Sequence, residues 1–405
     1  MILRKIVLGL LLSATFKLAA QVVIVDQCQS QTAVLIGMRV GEKIYAKDTV
    51  MRTKSTFDLE PGMYALVREG VLLGDFILAK GERVAISIHC DSISSIDSEV
   101  NQMFLKFIKS VDTAKSQVYR DASGLPKQIL QWCYPQLLVS ELPKDQLTNK
   151  GLNLVFANYL NDASGFLVNT PFFELNVDYY FDQLINQDKD TIIKYLPILE
   201  AATPSPAKEY LQRLALHRFE SSKVLGHENV FIDLALRTLG TGRSLFDSLT
   251  NYNVLLKAKQ LYPNRIGTRV SDVKMKDLNG ATTYLRSAEG IFKVLVFFDP
   301  DCHHCRESFP AVRTFAKDFR DKGVVVYAVS TGLDASELSS FINEFGEESN
   351  LKYRWDPELS SKTFRDYFFI PSTPTIYILD QSGLCLARSI SSSELAAVFN
   401  HIINN

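Results

Sequence analysis

The stretch Phe297-Phe298-Asp299-Pro300-Asp301-Cys302-His303-His304-Cys305 decides how the last third of this chain folds. The apolar run Val294–Phe298 has the length and composition of a buried strand. Two cysteines follow with two residues between them. From Arg306 to about Arg320 the apolar residues Phe309, Val312, Phe315, Ala316 and Phe319 recur on one helical face. Strand, Cys-x-x-Cys, helix is a layout that carries dithiol–disulfide chemistry. It puts Cys302 at a helix N-terminus, where free N–H groups and the helix dipole favour a thiolate, and Cys305 just inside the helix. Half a zinc site competes with this reading, but four ligands require a second pair with similar spacing, and the sequence has no other Cys-x-x-Cys or His-x-His. A purely structural disulfide is the other alternative.

A chain of 405 residues is expected to hold two or three domains. The net charge of −1, with 22 % charged residues, implies neither nucleic acid nor an anionic membrane surface as a partner. Residues 1–20 read as a cleavable secretory signal. Arg4 and Lys5 form the basic region, Ile6–Phe16 a short apolar region, and Leu18-Ala19-Ala20 a cleavage site before Gln21. An uncleaved anchor is the competing reading. No later segment reads as a membrane span. Export to an oxidising compartment suits disulfide chemistry. Of the remaining cysteines, Cys28 and Cys90 fall in one apparent domain and are a candidate structural pair, although sequence cannot assign the pairing. Cys133 and Cys385 sit in apolar settings and read as buried free thiols.

Residues 21–92 read as a small antiparallel β-sandwich built from Val22–Val25, Ala33–Ile36, Tyr64–Val67, Phe76–Leu78 and Val84–Ile88. Residues 93–262 turn helical, with stripes such as Met103, Phe104, Phe107, Ile108 and Val111. His89 beside Cys90 has no third or fourth ligand in view and reads as structural rather than as half of a ligand pair; His217 and His227 stand alone in the sequence pattern and read as structural or exposed. Residues 263–405 alternate strands and helices: a strand from Val273 with an Asn279-Gly280 turn, then strands at Val294–Phe298, Val324–Val329, Thr375–Leu379 and Gly383–Ala387, and helices at Arg306–Arg320, Ala335–Phe345 and Glu394–Ile403. That alternation implies a mixed sheet with helices on both faces.

Ser372-Thr373-Pro374-Thr375 stands before the fourth of these strands. With Asp277-Leu278-Asn279-Gly280, the Cys302–Cys305 motif and Phe309-Pro310, it makes residues 267–405 resemble the secreted TlpA/ResA-like branch of the thioredoxin superfamily. The region before it is similar to helical domains of Bacteroidetes envelope proteins, through Tyr159–Asp162 and Pro171–Phe173. The resemblance implies a multidomain protein whose C-terminal α/β thioredoxin-like domain follows a small β-sandwich and an all-α domain. It implies a periplasmic thiol–disulfide oxidoreductase, with Cys302 attacking and Cys305 resolving, no dissociable cofactor, and partners that are protein thiols and disulfides plus a redox partner. Thr373 and a cis Pro374 are the expected substrate-binding loop. Two positions depart from the family pattern: Val296 stands where thioredoxins keep a buried acid, and Ser308 where ResA-like proteins keep a glutamate. Glu307, one residue before Ser308, is the candidate proton acceptor for Cys305, with a solvated helix glutamate as the competing reading. His303 and His304 are expected to tune the redox potential, His304 by donating to the Cys302 thiolate or holding charge near it. Three other functions compete: an envelope scaffold with a structural disulfide, a peroxidase, for which Asp299 stands where Thr or Ser is needed, and copper delivery, for which no distal ligand is evident.

Overall fold

The computed structural model describes residues 20–28, 32–50, 53–332, 334–355 and 364–404. The expected signal segment, apart from Ala20, lies outside them. Two compact units divide the chain, Met1–Ala215 and Leu216–Asn405.

The first unit opens with eight strands: β1 (Ala20–Asp26), β2 (Val34–Val40), β3 (Lys43–Val50), β4 (Lys54–Leu59), β5 (Gly62–Arg68), β6 (Val71–Leu78), β7 (Arg83–Ile88) and β8 (Ile93–Asp97). They form two four-stranded sheets, ordered β4-β1-β7-β8 and β3-β2-β5-β6. Alternate residues of both, among them Val22, Ile24, Ile36, Tyr64, Leu66 and Phe76, meet in one apolar core, so the sandwich is real. It is mixed rather than antiparallel, because β1 runs parallel to β7. Cys28 and Cys90, at the ends of these two strands, are bonded across 62 residues of sequence.

Helices follow: α1 (Glu99–Lys109), α2 (Asp112–Asp121), α3 (Gly124–Cys133), α4 (Pro135–Ser140), α5 (Asn149–Leu167), α6 (Phe172–Tyr179), α7 (Lys189–Ala202) and α8 (Ala207–Ser221), where the division between the units falls. Ser98 caps α1 by accepting from the Asn101 backbone N–H. Asn101 in turn exchanges two hydrogen bonds of 2.7 Å with the backbone of Ile77, fastening α1 to β6. Phe104 and Phe107 of the expected stripe are buried, whereas Ile108 and Val111 are exposed.

In the second unit, α9 (His227–Thr238) and α10 (Ser248–Leu261) precede β9 (Lys274–Lys276), β10 (Thr282–Tyr284), β11 (Phe292–Phe298), α11 (His303–Asp318), β12 (Val324–Ser330), α12 (Ala335–Phe345), β13 (Leu351–Trp355), α13 (Phe364–Tyr367), β14 (Thr375–Asp380), β15 (Cys385–Arg388) and α14 (Leu395–Asn404). The expected division at 262/263 lies inside this unit. The sheet order is β10-β9-β13-β12-β11-β14-β15, with β11, β12 and β13 parallel and the rest antiparallel. Gly280, at φ +82°, makes the β9–β10 turn that Asn-Gly announced. Val294, Val296 and Phe298 face α11, α12 and α14; Leu295 and Phe297 face the opposite core with Tyr327, Phe364 and Tyr377. Burying each such aromatic contributes roughly 2–3 kcal/mol, and the central strand β11 is thereby fixed from both sides. Its C-terminal end delivers the chain to Cys302.

Candidate redox site at the end of strand β11

Cys302 is the N-cap of α11, with extended backbone (φ −72°, ψ 118°), and its carbonyl accepts from the N–H of Cys305 and of Arg306. The approach is held by Asp299, whose carboxylate accepts from the Asp301 N–H at 3.0 Å and whose carbonyl accepts from the Cys302 N–H at 3.1 Å. Arg306 Nε donates to the Pro300 carbonyl at 2.9 Å while its Nη1 pairs with Glu344 on α12. The turn carrying the first cysteine is thus tied to two helices.

Both cysteines are free thiols, and their surroundings differ. Cys302 is partly exposed. Its Sγ lies 3.5 Å from the Thr373 carbonyl, and the Thr373–Pro374 bond is cis. Burial alone would raise the Cys302 thiol, but contacts from the Thr373 side chain, the Cys305 thiol and the backbone N–H groups of Cys305 and His304 outweigh it and hold the thiol below its ordinary value. Cys305 is 1 % exposed, within an apolar cluster that includes Val296, Phe298 and Phe309. Burial pushes its thiol up, against the lowering effect of the Asp299 backbone N–H. The helix N-terminus and the sheet therefore place two chemically identical groups in opposite surroundings, one thiol lowered and the other raised.

Both histidine side chains lie at the surface, His303 as its place in the motif suggests. Their rings are 80 % and 83 % exposed and both turn to Glu307: His303 Nε2 lies 3.1 Å and His304 Nδ1 3.4 Å from its carboxylate. What His304 presents to the Cys302 sulfur is its backbone N–H. Glu307, itself well exposed, faces the histidines, and Ser308 donates its hydroxyl to the Cys305 carbonyl at 3.1 Å. Cys133 and Cys385 are buried free thiols, raised by desolvation.

Two features were not anticipated. An open groove of about 450 Å³ beside the cysteines is lined by His304, Glu307, Ser308, Pro374, Ile390, Ser391 and Ser392. Across the motif stand Asp299, Asp301, Asp334 and Glu337; desolvation and these carboxylates hold the Glu337 carboxyl above its usual range. The run of three serines at Ser391–Ser393 was a visible signal of a polar turn, and Asp334 before Ser336 a visible helix cap.

The AhpC/TSA family model matches residues 266–385. The thioredoxin-like protein YneN of Bacillus subtilis is 30 % identical over 119 residues, which are 29 % of this chain and 67 % of that protein. The thiol-disulfide oxidoreductase ResA of Oceanobacillus iheyensis is 27 % identical over 123 residues, 29 % of this chain and 62 % of that protein. The chain thus spans about two thirds of the length of these relatives. A solved thioredoxin domain of a thiol-disulfide oxidoreductase from Bacteroides vulgatus is 22 % identical, covers 34 % of this chain and 98 % of its own, and aligns with a TM-score of 0.31. A thioredoxin-like protein from Bacteroides caccae is 16 % identical, covering 57 % of this chain and 93 % of its own, with a TM-score of 0.38. By the likeness to YneN and the family model, the chain belongs to the thioredoxin-like thiol–disulfide oxidoreductase family.

Proposed function

We propose that this chain exchanges disulfides with protein substrates in the periplasm through Cys302-His303-His304-Cys305. The observation that carries the reading is the asymmetry of the pair: an accessible thiol held low by donors, beside a buried thiol held high. In the reducing direction the Cys302 thiolate attacks a substrate disulfide, forming the Cys302–substrate bond and releasing one substrate sulfur as a thiolate, which takes up a proton. Cys305 then loses its proton and attacks Cys302 Sγ. The mixed disulfide breaks, the second substrate thiol leaves, and two electrons have passed from the dithiol to the substrate. Oxidation of a substrate dithiol is the same sequence reversed, and a separate redox partner resets the pair.

In this reading Thr373 and Pro374 face the substrate chain, and His303, His304 and Glu307 form an exposed charged set that tunes the pair electrostatically. Residues 1–20 direct export and are removed, which leaves no membrane span; among the described residues no helix is long and apolar enough to cross a membrane. The sandwich of residues 21–92 and the helical residues 93–262 are accessory domains, with residues 263–405 carrying the chemistry.

Insulin reduction by the full chain, with dithiothreitol as electron source, tests the reading. Turnover that disappears in Cys302→Ser, and a Cys305→Ser variant that accumulates as a mixed disulfide with insulin, are the expected results. A Cys302–Cys305 disulfide that resists mild thiols, with no turnover, would instead identify a scaffold.

A further inference from the structure

Arg388 ends strand β15, and its side chain is only 2 % exposed. A guanidinium cannot shed its charge, so at this depth it must be paired. Its partners come from outside the βα alternation that surrounds the cysteines. Glu228 on α9 accepts from Nε at 2.6 Å, and the carbonyls of Leu261 and Asn264, at the end of α10 and the turn after it, accept from Nη1 at 3.3 Å. The Leu261 carbonyl belongs to the negative end of α10, a fitting seat for a cation. Beside Glu228, Asn229 exchanges hydrogen bonds with the backbone of Ile266 at 2.8 and 3.2 Å, so α9 grips the start of the sheet region as well.

This joint leads directly to the groove. Ser389, the next residue, has φ +56°, a left-handed conformation unusual for a side chain other than glycine. Ile390 follows, 7 % exposed and set in the core shared with α11 and α14. Ser391 then turns the chain into α14: its hydroxyl donates to Glu394 at 2.6 Å and its carbonyl accepts from the Glu394 N–H at 3.1 Å. Ile390, Ser391 and Ser392 form a wall of the groove that His304 and Pro374 also line. The wall therefore hangs between two fixed points, the Arg388 joint and the start of α14, and the left-handed residue lies between the joint and the wall.

The joint is also imperfectly satisfied. Arg388 Nη2 and both polar atoms of the Asn264 side chain are buried without a hydrogen-bond partner. Orphaned groups of this kind are unfavourable. Apolar residues of similar volume would serve at least as well if the only task were to glue helices to a sheet. What an ion pair supplies that an apolar contact does not is a defined position and direction.

We propose that Arg388, held by Glu228 and by the carbonyls of Leu261 at the end of α10 and of Asn264 in the turn after it, is a positioning residue that sets the Ile390–Ser392 wall for an extended peptide lying in the groove. The segment around α9 and α10 thereby determines which protein disulfides the site accepts, without touching the sulfur chemistry. This rests on the disulfide-exchange reading above.

The test compares the full chain with its Glu228→Gln, Glu228→Asp and Ser389→Gly variants on two substrates, a synthetic peptide with an internal disulfide and a small aromatic disulfide. Glu228→Gln removes the charge that fixes Arg388. KM for the peptide is expected to rise by about fivefold with kcat unchanged, a loss of binding and not of chemistry. The rate on the small disulfide and the pH dependence of Cys302 alkylation should not move, and Glu228→Asp, which keeps the charge, should recover part of the KM. Should Glu228→Gln fail to fold, Ser389→Gly carries the test. It leaves the ion pair intact and only loosens the residue before the wall, so KM for the peptide should rise by about twofold. An unchanged peptide KM in the variants that fold, or a parallel loss on both substrates, overturns the proposal. A wild-type chain that turns over neither disulfide overturns the exchange reading itself, and this inference with it.

Discussion

Cys28 and Cys90 are bonded in the first unit, 62 residues apart, while Cys302 and Cys305 stand in the second as free thiols with two residues between them. The polar contacts around the first pair go to backbone and to each other. Arg68, 5 % exposed, pairs with Asp26 at 2.5 Å and donates to the carbonyls of His89 and Cys90, and Asp26 accepts from the Cys28 N–H. Those contacts hold two strand ends in place. Around the second pair the sulfur itself takes part: Cys302 Sγ donates to the Thr373 carbonyl and is approached by the backbone N–H groups of His304 and Cys305 at the start of α11. Two cysteine pairs in one chain are thus separated by what their neighbours grip. Where the backbone is gripped, the bond is held in place; where the sulfur takes part in the contacts, the pair has the surroundings that the proposed exchange requires.

Breaking each pair in turn should give opposite results. Cys302→Ser should lower disulfide exchange by about four orders of magnitude or more, because the nucleophile is gone, and should leave thermal unfolding of the first unit unchanged. Cys28→Ala with Cys90→Ala should do the reverse. Opening a loop of 62 residues costs roughly 4 kcal/mol on chain-entropy grounds, read as a lower denaturant midpoint for the first unit, with exchange unaffected at 25 °C. Loss of exchange in the Cys28/Cys90 variant would erase the distinction between the two pairs.

A smaller effect sharpens the comparison. From the motif alone, His304→Ala is expected to shift the redox potential by at least roughly 30 mV, about 1.4 kcal/mol for this couple. With the ring 83 % exposed and turned to Glu307, its influence is that of a solvated charge, worth about 0.2–1 kcal/mol. Glutathione equilibration of the variant should therefore give a shift below roughly 30 mV. A larger one would mean that the imidazole reaches the sulfur during turnover.

Much of the second unit was legible because local signals agree there: an apolar strand, a two-cysteine spacing, an amphipathic helix and a Thr-Pro step. Strand β13 was missed although Leu351, Tyr353 and Trp355 alternate with Lys352 and Arg354, a pattern too short and too charged to stand out. In the sandwich, β3 and β4 are the outer strands of their sheets, and β3 carries its charged residues on exposed positions, which hid it. The parallel β1–β7 pairing has no local signature at all. At the site, the cysteines and Thr373-Pro374 could be named from the chain, but the direction of the His304 ring could not. Glu228 and Arg388, 160 residues apart, share nothing in the sequence that would announce their contact.

The division of labour within the redox pair is tested most directly by brief alkylation of the reduced chain across a pH series, with mass mapping of each cysteine. A free thiol titrates near ~8.5. The contacts around Cys302 lower its value and burial raises that of Cys305. The Cys302 thiolate thus favours the reduced fold above the unfolded thiol value, and that contribution is lost as pH falls through the folded one. The expected result is that Cys302 labels first, with a midpoint below the free-thiol value, while Cys305 stays unlabelled until strongly alkaline pH. Labelling of Cys305 before Cys302, or a Cys302 midpoint above that of a free thiol, would contradict the account.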